Sequence, residues 1–330
     1  MPLQPPPRQA RAGLGCMGMS GVYGAADDRE SVATIHAALD AGVALLDTGD
    51  FYGMGHNEML IARALRERGS DARDDAKLSV KFGAQRGPDG GWLGYDASPA
   101  AVKTAVAYSL RRLDTDHIDV YRPARLDPKV PIEETIGAIG ELVAAGWVRR
   151  IGLSEVGVET IRRAAAVHPI ADLQIEYSLL SRGIEAAILP TCRELGIAVT
   201  AYGVLSRGLL SDGFTPGRTP TPGDVRYRFP RFASDNADHN AALVDALRAI
   251  AGRAGATVAQ LAIAWVRSRG DDLIPLIGAR RRDQLAEGVA GARLTLDSEL
   301  LAEIEAVAPP GAVRGERYGP EQMRSLDSER

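Results

Sequence analysis

Gly13-Leu14-Gly15-Cys16-Met17-Gly18 carries the G-x-G-x-x-G spacing of a dinucleotide-binding turn, and its reading decides the fold. In such a turn a helix starts directly at the third glycine and points its N–H groups at a pyrophosphate. Here residues 19–28 intervene, with Gly21 and Gly24 among them, before any helical pattern begins. The stretch therefore reads as a short strand, 12–16, that runs into a glycine-rich loop.

Working outward, the same unit repeats. A helix is expected at 31–41, with Ser31 at its start and Gly42 at its stop, followed by the apolar run 43–46, closed by Asp47. Then come helix 57–68 and run 78–82, helix 98–112 and run 118–121, helix 132–145 and run 148–153. Helix 157–167 precedes run 173–175, and helix 184–195 precedes run 198–201. After a long loop, helices near 239–253 and 257–269 lead to run 273–277, and helices near 281–290 and 297–306 follow. Strands separated by helices must run parallel, and eight of them close into a (β/α)8 TIM barrel, an α/β fold of one domain. The expected organisation is a disordered lead-in at 1–10, a barrel at 11–310 and a tail at 311–330.

Composition agrees. The chain has 330 residues, 45% hydrophobic and 25% charged, which excludes disordered, collagen-like and coiled-coil classes. A net charge of −4 argues against nucleic acid or an anionic membrane as partner. Only Cys16 and Cys192 occur, far apart and away from any histidine cluster, so neither a disulfide framework nor a metal site is expected. Residues 1–11 are proline-rich and basic with no apolar stretch behind them, and no run approaches the ~18 apolar residues of a membrane span. A cytoplasmic protein acting on a small molecule is the expectation; the oligomeric state is open.

In a barrel of this kind the chemistry sits at the C-terminal ends of the strands. Asp47 and Tyr52 follow the second run and Lys81 ends the third. A phenol is a poor acid at neutral pH, but an ammonium beside it stabilises the phenolate, and a carboxylate holds that ammonium in place. Such a tyrosine protonates a carbonyl oxygen as hydride reaches its carbon, or does the reverse. The expectation is that Lys81 lowers the pKa of Tyr52.

The stretches Leu46-Asp47-Thr48-Gly49-Asp50-Phe51-Tyr52-Gly53, Lys81-Phe82-Gly83, Ile151-Gly152-Leu153-Ser154, Gln174-Ile175-Glu176-Tyr177, Ala201-Tyr202-Gly203-Val204-Leu205-Ser206-Arg207-Gly208 and Pro275-Leu276-Ile277-Gly278-Ala279-Arg280 resemble the aldo-keto reductases. The resemblance runs from Gly13 to Gly291. It implies a barrel that binds NADPH without a Rossmann fold and reduces aldehydes or ketones. Tyr52 would be the general acid/base, tuned by Lys81 and Asp47. Ser154 and Gln174 would hold the carboxamide and Tyr202 would stack on the nicotinamide. The backbone of Gly203, Val204, Leu205, Ser206, Gly208 and Leu209 would line the pyrophosphate, with Cys16, Met17 and Asp47 also near the cofactor. The 2′-phosphate segment maps to Gly278, Ala279, Arg280, Gln284 and Glu287. Independently, Arg280-Arg281-Arg282 open a helix after the last strand, where guanidinium forks and a positive helix end suit a phosphate. Where the family often has Asn after Glu287, this chain has Gly288.

One departure bears on substrate. The family usually places a histidine just after strand four; here, in Tyr121-Arg122-Pro123-Ala124-Arg125-Leu126-Asp127-Pro128, alanine occupies that position. Losing an oxyanion donor weakens reduction of unassisted ketones. Either the substrate supplies a polar group or Arg122, Arg125 or His56 compensates. The Ala-Arg-x-Asp-Pro context, with Val130-Pro131-Ile132-Glu133-Glu134-Thr135 and Gly152-Leu153-Ser154-Glu155, looks like the pyridoxal reductase branch. The ring hydroxyl of pyridoxal, ortho to its aldehyde, can assist internally. Tyr23 and Phe232 complete the expected pocket. The loop 211–240, with its Arg226-Tyr227-Arg228-Phe229-Pro230-Arg231-Phe232 run, is expected to act as a lid, and the tail carrying Tyr318 to cover the barrel mouth. The alternatives are a broad-specificity or biosynthetic carbonyl or sugar reductase, and an NADPH-binding regulatory protein with negligible turnover.

Overall fold

The computed structural model describes residues 12–211 and 224–330. The expected lead-in at 1–10 lies outside these residues, as does part of the expected lid, 212–223. Among the described residues there are ten strands: β1 (Gly13–Gly15), β2 (Leu45–Gly49), β3 (Lys77–Phe82), β4 (Ala84–Arg86), β5 (Trp92–Tyr95), β6 (Ile118–Pro123), β7 (Val148–Ser154), β8 (Ile170–Glu176), β9 (Ala198–Tyr202) and β10 (Leu273–Gly278). Eight of them form a closed parallel barrel in the order β1-β10-β9-β8-β7-β6-β3-β2. Each run expected from the sequence falls on one barrel strand. The remaining pair, β4 and β5, is an antiparallel hairpin between β3 and its helix.

The strands are apolar because helices cover them outside and neighbours fill the barrel inside; β8 is buried at every position. The helix Val258–Ser268 is buried nearly all round, with Trp265 fully enclosed, and Thr257 and Gln260 form a capping box at its start. Ser98 caps Pro99–Leu113 by accepting from the Ala101 N–H, and proline stands at its first turn. The first helix starts at Asp28 rather than at Ser31. Asp27 accepts from the Glu30 N–H at 2.9 Å and is the true cap, whereas Ser31 is buried in the helix. The helix after the long loop begins at Ser234, upstream of the expected 239. Gly288 has a packing reason: a Cβ there would collide with Ile277 of β10, so the helix Arg282–Arg293 lies directly on the strand. No single helix among the described residues is long and apolar enough to cross a membrane.

Parallel closure brings all eight strand C-termini to one rim. Asp47, Lys81, Ala124, Ser154, Glu176, Tyr202 and Gly278 therefore share one end of the barrel.

Candidate active site

Register builds the centre of the site. Asp47 pairs with Ser79 and Gly49 with Lys81 across β2 and β3, so the two functional side chains lie on adjacent strands two residues apart. Lys81 Nζ donates to Asp47 Oδ2 at 2.6 Å, and both side chains are almost wholly buried. The other carboxylate oxygen accepts from Ser79 Oγ at 2.8 Å and from Gln174 Nε2 at 2.7 Å. The Lys81 ammonium stands 5.0 Å from the Tyr52 ring centroid. The three expected residues thus converge.

The electrostatics differ from the expectation. Burial pushes the Tyr52 phenol well above its usual value, and the Asp47 charge pushes the same way. Of the charges acting on it, Arg125 is the leading one that pulls it down, ahead of any contribution from Lys81. Lys81 is neutralised by Asp47, and its own pKa is lowered, first by burial. A phenol this deeply placed holds its proton at neutral pH.

Of the three groups expected to compensate for the histidine, two are elsewhere. Arg122 points into the barrel wall, fully buried, 3.0 Å from both Asp172 Oδ2 and Ser79 Oγ. His56 faces Ser20 Oγ at 2.9 Å and Asp28 at 3.2 Å at the start of a helix, away from Tyr52. Arg125 remains. Its Nη1 donates to the Ala124 carbonyl at 2.6 Å and lies 3.5 Å from Ser154 Oγ, while its buried Nε has no hydrogen-bond partner among the described residues. Burial opposes its charge, but Tyr202, Tyr318 and Glu155 outweigh that and raise its pKa.

On the cofactor side, Ser154 and Gln174 are cross-strand neighbours, as carboxamide binding would require. Because Gln174 gives its N–H to Asp47, its oxygen is left as an acceptor, and Ser154 can donate. The Gly203–Leu209 segment contains Gly203, Ser206, Arg207 and Gly208, all at positive φ, and folds on itself as a tight turn in which the Ser206, Gly208 and Leu209 N–H groups donate to the Gly203, Leu205 and Ser206 carbonyls. Ser206 meets Ser178 Oγ at 3.2 Å, and Val204, Leu205 and Leu209 pack on the core. Cys16 is fully buried, its thiol pushed up first by burial, and its neighbour Met17 faces the cavity beside Tyr52. At the phosphate end, Arg280 Nη1 reaches the carbonyls of Tyr23, Gly24 and Ala25 at 3.1–3.4 Å and fastens that loop. Gln284 accepts from the Arg280 N–H, and Glu287 accepts from Thr257. Arg281 and Arg282 are exposed and pair with Asp283 and Glu30, so of the three only Arg280 turns to the loop beside the barrel mouth.

The tail does cover the mouth, and it brings residues that local sequence patterns do not reveal. Glu155, at φ +54, accepts both Nη atoms of Arg317 at 2.9 and 2.6 Å, the Tyr202 hydroxyl at 2.7 Å and Ser328 Oγ at 2.8 Å. Its carboxyl is held at about 2: burial would raise it, but Arg317 outweighs burial. Arg207 pairs with Glu176 and lies 4.4 Å from both the Phe229 and Tyr318 rings. Phe232 packs with Phe229, Tyr318 and Leu326. Arg231 also reaches Glu176, and Arg226 pairs with Asp224, so these loop cations already have acidic partners. Tyr23 is partly buried below Arg226, and burial raises its phenol. Beside Tyr52 is a cavity of about 270 Å³ lined by Met17, Val22, Phe51 and Met54, with Arg86 of the hairpin at its rim.

The sequence profile of the Aldo/keto reductase family matches residues 11–309. The chain belongs to that family. Among aldo/keto reductases it is 38% identical over 312 residues to "Probable aldo-keto reductase 1" of Glycine max, covering 94% of this chain and 88% of that one. The glycerol dehydrogenase of Gluconobacter oxydans superposes with a TM-score of 0.83 at 30% identity, over 96% of this chain and 93% of that one. An aldo/keto reductase from Klebsiella pneumoniae in complex with NADP and acetate gives 0.71 at 28% identity, over 94% of each chain.

Proposed function

We propose that this aldo/keto reductase uses NADPH to reduce an aldehyde to an alcohol, with Tyr52 as general acid/base, Lys81 and Asp47 as its supports, and pyridoxal or a similar hydroxyl-bearing aromatic aldehyde as substrate. The observation that carries the reading is the Asp47–Lys81 pair buried beneath a protonated Tyr52 at the cavity wall. The residues present fit the cofactor. Ser154 and Gln174 offer a donor and an acceptor for its carboxamide, and Tyr202 a ring face. The mouth also gathers Arg125, Arg207, Arg231 and Arg317 around three carboxylates, Glu155, Glu176 and Glu329. That excess of positive charge suits a pyrophosphate. NADPH, when bound, supplies the hydride; the protein holds the carbonyl against Tyr52 and gives it the proton.

The substrate reading rests on size and on a missing donor. A cavity of about 270 Å³ fits a single ring. With Ala124 in place of the usual histidine, the second hydrogen bond to the carbonyl must come from Arg125 or from the substrate's own ortho hydroxyl. The likeness to a glycerol dehydrogenase favours a second reading, polyol oxidation. Steady-state assays at the cofactor's absorbance separate the two. We expect kcat/KM for pyridoxal to exceed that for benzaldehyde by about tenfold, the worth of one hydrogen bond. Equal or poorer turnover of pyridoxal defeats this substrate, and efficient glycerol oxidation establishes the other.

A further inference from the structure

A one-way hydrogen-bond chain crosses the barrel mouth. Arg125 Nη2 lies 3.4 Å from the Tyr318 hydroxyl, which lies 2.9 Å from the Tyr202 hydroxyl, which donates to Glu155 Oε1 at 2.7 Å. A guanidinium only donates and an ionised carboxylate only accepts, so the two end links fix the middle one: Tyr202 spends its proton on Glu155, and Tyr318 donates to Tyr202. Neither hydroxyl can turn without breaking the chain. Arg317 Nη1 adds a further contact to the Tyr202 hydroxyl at 3.3 Å.

The chain begins beside Ala124, on the substrate side, and ends at Tyr202, where the nicotinamide is assigned. Tyr202 leaves β9 at its last residue, so its backbone is fixed but its ring can swing about χ1. A tether on the hydroxyl, the far end of that lever, removes the swing. Tyr318 is itself immobilised: it is 5% exposed, edge-on to Phe229 at 5.6 Å and beside Arg207. Its neighbour Arg317 is clasped by Glu155, and Asp327 accepts from the Gly157 N–H at 2.8 Å, which secures the segment beyond.

We propose that Tyr318 is a positioning residue of the reductase: through its hydroxyl it holds the Tyr202 ring at the angle the nicotinamide needs. This rests on the assignment of Tyr202 to the cofactor made above. Phenylalanine at 318 keeps the ring packing and deletes only the link, which makes Tyr318→Phe the informative variant.

The test compares Tyr318→Phe, Tyr202→Phe, the double variant and Tyr202→Ala in the full chain. It reads NADPH dissociation constants by fluorescence, kcat and aldehyde KM with pyridoxal, and melting temperature. We expect Tyr318→Phe to weaken NADPH binding and lower kcat, each by about five- to tenfold, with KM unchanged and melting within about 2 °C of the parent. The double variant should be no worse than the poorer single one, because both cut the same chain. Unchanged kcat and affinity in Tyr318→Phe, or effects that multiply in the double variant, would overturn the proposal while Tyr202→Ala still weakens NADPH. If Tyr202→Ala leaves NADPH affinity intact, the cofactor assignment falls and this proposal with it.

Discussion

Replacing Arg317 with methionine tests the clasp that closes the mouth. Arg317 gives two hydrogen bonds to Glu155, whose carboxylate has no exposed surface. The Glu155 pKa falls from 4.5 to about 2 in the folded protein, a difference of about 2.5 units. At about 1.4 kcal/mol per unit that is about 3–4 kcal/mol. Breaking one partner of a buried pair costs about 3–5 kcal/mol on other grounds, because the orphaned charge stays buried. At about 2 °C per kcal/mol for a chain this long, Arg317→Met should melt about 6–10 °C below the parent at pH 7. The pH dependence has a definite sign. A carboxyl with a depressed folded pKa stabilises above its unfolded value and loses that contribution as pH falls toward 2. In the variant the depression is gone and acid protonates Glu155 earlier, so the gap is widest at neutral pH and narrows toward pH 4. Glu155→Gln with Arg317→Met should recover most of the loss. Calorimetry at pH 7 and pH 4 decides it: a loss below about 2 °C, or a gap that ignores pH, refutes the clasp as a buried ion pair.

Three further outcomes follow from the site. Tyr52→Phe should lower kcat by about 10²–10⁴-fold while NADPH titration stays nearly unchanged; surviving turnover removes Tyr52 from the acid/base role. Burial first, and then the charge of Glu58, raise Asp50 to about 7, and its Oδ1 lacks a hydrogen bond among the described residues. An acid with a raised folded pKa loses stability as pH rises through that value, so Asp50→Asn should stabilise by about 1–2 kcal/mol at pH 8 and by less at pH 5. Melting curves at the two pH values check it. Arg125→Met should reduce kcat/KM for benzaldehyde by at least about tenfold and for pyridoxal by less, since only pyridoxal carries its own donor; equal losses speak against Arg125 as the substitute for the histidine.

The barrel was legible because its strands are apolar runs at regular intervals, and the trio of Asp47, Tyr52 and Lys81 because strand ends must share a rim. The hairpin of β4 and β5 was not: Gly87, Pro88, Gly90 and Gly91 give its turn the look of an ordinary loop, and its strands lie outside the core. Arg122 faces Asp172 rather than the pocket, and nothing local in the sequence distinguishes such a strand residue from one facing the mouth. The pKa of Tyr52 depends on burial, which no neighbour in sequence encodes. Glu155 and Arg317 are 162 positions apart, so their pairing carries no periodic signature.

The hairpin has an optical consequence. The protein has three tryptophans. Trp265 is sealed in the core, and Trp147 stands just before β7 at the opposite end of the barrel from the site. Trp92 is half exposed, with the Arg86 guanidinium 5.2 Å from its ring, and Arg86 lines the cavity beside Tyr52. A ligand that moves Arg86 changes the surroundings of one indole and leaves the other two in place. The emission spectrum thus carries a native reporter on the entrance to the pocket, and Trp92→Phe is the blank against which it is read.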